Sequence, residues 1–244
     1  MMKSCLISIL VSLVSFTAAW GQASGTQVTE TDSTLTLRNS KVRVEFPKGE
    51  AFDISKLTLN GKELVLSKGY NTVPWTLTYK GPQGENPVLF PSHGEYAGWA
   101  KTTKDGHVAI AFKWNMRLTY QDLVPVVMTV SLPGDSELAY WDIQAGTPDG
   151  WLVSNTQFPR ITVTRPDKAK LITSAGWGAE YNLSNPQVYT SSYPSVTGSM
   201  QLLLLHNPDG SVYYATEDRE ACGKDFRAAV GDKSVTLLTD IVAS

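Results

Sequence analysis

Hydrophobic and polar positions alternate along most of this chain, and the alternation is densest between Leu123 and Ala145. Val124, Val126, Met128 and Val130 share one parity, with Val127 and Thr129 between them. That pattern predicts a strand buried on one face and partly covered on the other. Pro133-Gly134-Asp135 supplies a turn. Beyond it, Leu138, Tyr140 and Asp142 fall on one parity, and Ala139, Trp141 and Ile143 on the other. Two long strands joined by a tight turn make the spine of a large antiparallel sandwich.

The same period of two recurs on both sides of this hairpin. Leu35 and Leu37 alternate with threonines, Asn39-Ser40 turns the chain, and Val42, Val44 and Phe46 return. Leu57 and Leu59 lead into Asn60-Gly61, where both residues tolerate the positive φ of a type I′ hairpin turn. Trp75, Leu77 and Tyr79 form another strand, as do Val108, Ile110, Phe112 and Trp114. Later strands are predicted at Ile161 to Thr164, Met200 to Leu205, Val212 to Tyr214 and Val235 to Leu238. Outside the first residues no helix-period segment exceeds about two turns. The pattern therefore predicts an all-β fold: a large antiparallel two-sheet sandwich with little helix. Val126, Met128, Val130, Leu203 and Leu205 are its expected core positions.

The first 23 residues have a different pattern. Lys3 precedes an apolar run from Cys5 to Ala19, of signal-peptide rather than membrane-spanning length. Gly21-Gln22-Ala23 places small residues at −3 and −1, which predicts export and cleavage after Ala23, with Ala19 as the nearest rival site. The expected organisation is a signal peptide over 1–23, a flexible lead-in over 24–32 and one sandwich domain over 33–244. The product is then secreted or periplasmic, with no membrane attachment after cleavage. Removing the leader would leave Cys222 as the lone cysteine, so no internal disulfide is expected in the mature domain. Of the 244 residues, 18% are charged and the net charge is −2, a balance that argues against nucleic acid as a partner.

Candidate chemistry is sparse. His93, His107 and His206 lack metal-ligand spacing, no G-x-S-x-G elbow occurs, and Gly176-Trp177-Gly178 is not followed by a helix. No catalytic residue, metal or cofactor is predicted. The seven Trp and ten Tyr carry more information. An aromatic face can stack on the C–H face of a pyranose while adjacent polar groups bond its hydroxyls. His93 to Trp99 is read as a loop carrying Tyr96, Trp99 and Glu95; Trp177 and Tyr181 form a second group. Glu95 and Asp218 are the expected hydroxyl acceptors. The competing reading is that these rings plug the ends of the sandwich.

TLTLRNSKVRVEFPKGEAFDISKLTLNGKELVL resembles the opening of galactose-mutarotase-like supersandwich domains at the front of secreted glycoside hydrolases. VTVSLPGDSELAYWDIQA resembles their central hairpin. FPRITV, SAGWG and YPSVTGSMQLLLLHNPDGSVYYATED are similar to the later half of a group of uncharacterised bacterial glycosidase-like proteins. In that group a (β/α)8 barrel usually follows and carries the catalytic carboxylates. The resemblance implies a carbohydrate-associated accessory module that does not hydrolyse glycosides alone and whose partners are a polysaccharide or glycoside and a catalytic barrel. Aldose epimerases share the fold, but their histidine and glutamate motifs have no match around His93, His107 or His206. A stand-alone epimerase is one alternative. Another is a polysaccharide lyase, with Tyr96, Arg117 and Arg160 as its cast; the third is a ligand-free interaction domain.

Overall fold

The computed structural model describes residues 8–14, 25–48, 54–64, 73–119, 122–165, 167–175, 178–195, 198–207, 210–218 and 222–242. Among them the chain is all-β, and every strand pairing is antiparallel. The helical content of these residues is one 3-10 turn at Pro91–His93.

In chain order the strands are β1 (Ser8–Val14), β2 (Gln27–Glu30), β3 (Thr34–Arg38), β4 (Val42–Pro47), β5 (Lys56–Leu59), β6 (Lys62–Leu64) and β7 (Thr76–Lys80). Then come β8 (Val88–Leu89), β9 (Gly94–Lys104), β10 (His107–Arg117), β11 (Leu123–Leu132), β12 (Leu138–Ala145), β13 (Leu152–Gln157) and β14 (Ile161–Thr164). The last are β15 (Lys170–Thr173), β16 (Ala179–Asn182), β17 (Gln187–Tyr193), β18 (Leu202–His206), β19 (Ser211–Thr216), β20 (Lys224–Val230) and β21 (Ser234–Val242).

A nine-stranded sheet in the order β16-β15-β18-β19-β1-β12-β11-β10-β9 forms one layer. Facing it are a seven-stranded sheet, β17-β20-β21-β13-β7-β8 with β14 on β21, and a five-stranded meander, β2 to β6. The spine hairpin is β11–β12, central to the large sheet as expected. Its inner face meets both smaller sheets. Phe112 lies 4.8 Å from Phe46 of β4, and Trp114 lies 5.5 Å from Trp75 beside β7. Tyr214 on β19 lies 6.5 Å from Phe226 on β20. The second layer of the sandwich is thus divided between two hydrogen-bonded sheets around one continuous core.

Val126, Met128, Val130 and Leu203 are fully buried and Leu205 nearly so, as the parity predicts. Asn60 and Gly61 adopt positive φ of 46° and 78° in the β5–β6 hairpin. Asn39 does more than turn the chain. Its carbonyl accepts from the Lys41 and Val42 amides at 2.8 and 2.6 Å, while its amide donates to the Pro133 and Ser136 carbonyls at 2.6 and 2.7 Å. One side chain therefore ties the β3–β4 turn to the turn of the spine.

Three further features bear on function. The stretch expected to be a flexible lead-in contributes β2, which pairs with β3 from Gln27↔Arg38 to Glu30↔Leu35. Residues 8–14, within the stretch expected to be a leader, form β1 inside the large sheet. Cys222 is disulfide-bonded, and Cys5, the other cysteine of the sequence, lies outside the described residues.

Candidate functional site

The segment expected to be an aromatic loop is an edge strand. β9 pairs with β10 alone and forms one end of the large sheet. Its register shifts by one residue: Trp114 faces Tyr96, while Lys113 faces Gly98, leaving Ala97 as the extra residue of a bulge. Gly98 adopts φ +107°, and an added Cβ would meet no atom within 4 Å. The backbone conformation, not crowding, requires glycine there.

The bulge has a chemical consequence. Tyr96 and Trp99 are three apart, so a regular strand would send them to opposite faces. With the extra residue, Tyr96 sits opposite Trp114 and Trp99 opposite Phe112, both buried on the inner face. Both edge rings are half-buried against this core, with Tyr96 5.8 Å from the Trp114 ring. Glu95 faces Asn115 on the other parity and is exposed. The pleat therefore separates it from the two rings it adjoins in sequence.

The carboxylate that the structure brings to these rings is Glu30, from β2. The Lys48 ammonium 2.6 Å away is the main reason its carboxyl lies below the usual range, and the Trp99 indole N–H adds a further hydrogen bond. Burial pushes the Tyr96 phenol up to about 12, with the Glu30 charge adding to the effect. Tyr96 is thus a neutral hydroxyl over the physiological range. The cluster of Tyr96, Trp99, Glu30 and Lys48 combines two apolar ring faces with an exposed anion–cation pair. Glu30 has no signal in the sequence, because nothing in a polar tetrapeptide indicates that it pairs with β3 near the β9 edge.

The other predicted residues lie elsewhere. Trp177 lies outside the described residues. Tyr181 is on β16, the opposite edge of the large sheet, facing buried Leu171. Its ring is 4.7 Å from Tyr189 on β17, the edge of the seven-stranded sheet. These two rings span the gap between the layers, and Gln187 donates to the Tyr189 hydroxyl.

Asp218, expected to accept a sugar hydroxyl, is instead turned inward. Its carboxylate lies 2.6 Å from the Lys224 ammonium and accepts from the Cys222 amide at 2.6 Å. Both charged side chains are almost fully buried. Gln201 accepts from Lys224 at 2.8 Å, and the Tyr193 ring lies 5.5 Å from the same ammonium. Burial pulls the Lys224 pKa down, opposed by Asp218. A buried ion pair further held by a backbone amide and a side-chain amide has the form of a structural device.

Glycoside hydrolysis requires two carboxylates facing one bond, about 5–5.5 or 6.5–9.5 Å apart. The buried carboxylates among the described residues are Asp142, Asp218 and Asp240. Each has its own cation: Lys104 at 2.8 Å, Lys224 at 2.6 Å and Arg227 at 2.9 Å. Two residues of the lyase cast lie on opposite faces of the sheet. Tyr96 is opposite inward-facing Trp114, whereas Arg117, opposite Leu123, is on the parity of Lys113 and Asn115, away from Tyr96.

No family model matches the chain. It is 36% identical over 241 residues to a Bacteroides thetaiotaomicron protein named "Putative glycoside hydrolase". The match takes in 98% of this chain and 36% of that relative. The chain thus spans about a third of the curated relative it matches, and it is related to one part of a larger glycoside-hydrolase-like protein.

Proposed function

We propose that this chain is an exported, carbohydrate-associated β-sandwich module of a larger glycoside-hydrolase-like protein, without hydrolytic activity of its own. The observation that carries the reading is the match across nearly the whole chain to little more than a third of a relative named for glycoside hydrolysis. The site supports the binding half of the proposal. Trp99 and Tyr96 present ring faces at the β9 edge, and Glu30 and Lys48 supply an acceptor and a donor beside them. Glu95, one residue along on the outer face, is available to a ligand that wraps the edge.

Stacking on one or two rings contributes a few kcal/mol before association costs, which corresponds to affinities of about millimolar to high micromolar. A glycan array followed by calorimetry on the exported protein tests the binding reading; no sugar giving a saturable signal would overturn it. Turnover of an aryl glycoside by the purified domain, abolished by one acidic substitution, would overturn the non-catalytic half.

A further inference from the structure

The leader-like segment occupies a position that a removable segment cannot hold after export. β1 lies between β12 and β19, in register from Ser8↔Asp142 to Ser12↔Leu138 on one side and from Ile9↔Thr216 to Val14↔Ser211 on the other. If residues 1–23 are cleaved, two rows of backbone N–H and C=O groups are left unpaired in the middle of a nine-stranded sheet. Leaving such groups unmade inside a fold is costly.

The two flanking strands are poorly placed to close on each other. Both run antiparallel to β1, so they are parallel to one another and two strand steps apart, about 9.5 Å. Each is also anchored to the layer beneath. Trp141 of β12 packs 6.1 Å from Phe46 of β4. Tyr214 of β19 donates to the Pro159 carbonyl at 2.9 Å and accepts from Thr239 at 3.0 Å. Closure would break these contacts, so the slot keeps its width.

We propose that the gap between β12 and β19 is a strand-accepting site, refilled after export by an extended segment of the same larger protein. The inference rests on the leader being removed, as in the proposed function. The walls specify the occupant. Positions 9, 11 and 13 lie in register with Trp141, Ala139, Thr216, Tyr214 and Val212, all buried on the core face, so three aliphatic residues spaced two apart are required. The position opposite Asp142 calls for a hydroxyl donor, because that carboxylate is buried and its Oδ1 has no hydrogen-bond partner among the described residues. The strand must run antiparallel to both neighbours. A segment of the same polypeptide is the chosen source because the matched relative is far longer than this chain. Tethering also raises the effective concentration to about millimolar.

The test uses the full exported protein. N-terminal sequencing establishes whether processing has occurred. Hydrogen exchange then reads the slot-facing amides of Ala139–Asp142 and Val212–Thr216, and a benzophenone photo-crosslinker replacing Tyr140 identifies the neighbour by mass spectrometry. In processed protein, these amides are expected to exchange about 100-fold or more slowly than in an unstructured peptide. The crosslink is expected to fall on an alternating aliphatic segment of the same larger protein, outside residues 8–14. Unprotected amides, or a crosslink to a second copy or directly to β19, would overturn the proposal in a processed protein. A retained residue 8–14 segment would overturn it through the export reading instead, and the sequencing result tells the two failures apart.

Discussion

The two ends of the large sheet each carry a pair of aromatic rings, and they use them differently. At the β16 edge, Tyr181 leans on Tyr189 of the facing sheet, 4.7 Å away, so ring meets ring across the mouth of the sandwich. At the β9 edge, Tyr96 and Trp99 lie on the same strand and rest on Trp114 and Phe112 beneath them. A charged pair, Glu30 and Lys48, stands beside them. An aromatic pair that bridges two layers is a seal, and one that shares a strand face beside an exposed ion pair can be a platform. The acidic residues divide the same way. Asp218 is buried against Lys224, whereas Glu30 and Lys48 are substantially exposed.

The largest expected effect breaks the seal side of this contrast. Asp218→Ala leaves the Lys224 ammonium buried without its partner, and the loss is expected to be about 3–5 kcal/mol. Glu30→Gln, at the exposed pair, should leave the urea midpoint where it is. Urea titrations of both variants check this, and equal midpoints would remove the distinction between the clusters.

The next effect is in alkali. Burial raises the Tyr79 phenol to about 12 from an ordinary value of 10.0, and its hydroxyl donates to the Gly146 carbonyl at 2.7 Å. Because the folded value is the higher one, its contribution is fully present below pH 10 and is lost as pH rises through about 12. For this buried ring that is about 2–3 kcal/mol. Tyr96 acts in the same direction with a smaller weight, since it is half exposed. Urea midpoints taken between pH 9 and pH 12 should fall steadily, and Tyr79→Phe should flatten the fall.

A smaller effect concerns the bulge. Gly98→Ala forces a side chain onto a φ of +107° and is expected to cost about 1 kcal/mol. Its sharper consequence is on the site: if the strand regularises, Trp99 turns to the outer face. Quenching of tryptophan fluorescence by acrylamide should rise in this variant.

The sequence made the fold legible for a physical reason. A period of two over ten residues, as in β11, has one parity buried throughout, which Val126, Met128 and Val130 follow, while the other is exposed or half-buried as far as Thr129 and buried only at Ser131. The site was legible only in part. Trp99 and Tyr96 were identifiable as residue types, but the bulge that puts them on one face depends on where β10 pairs, which no local pattern encodes. The stretch from His93 to Trp99 reads as a loop instead. Asp105-Gly106, with φ of 50° and 80°, closes the β9–β10 hairpin and is a turn signal that would have exposed that strand. Glu30 and the Asp218–Lys224 pair were beyond reach. Each depends on contacts between separate elements, and an acidic residue in a polar stretch looks the same whether it ends at the surface or inside.

The measurement that bears most directly on the account is a paired affinity comparison by calorimetry, using the sugar selected from the glycan array against the parent protein, Trp99→Ala and Tyr181→Ala. The platform reading predicts that Trp99→Ala loses at least about tenfold in affinity, or about 1.4 kcal/mol, while Tyr181→Ala binds like the parent. Unchanged binding by Trp99→Ala, with loss in Tyr181→Ala, would contradict it and move the site to the opposite edge of the sandwich.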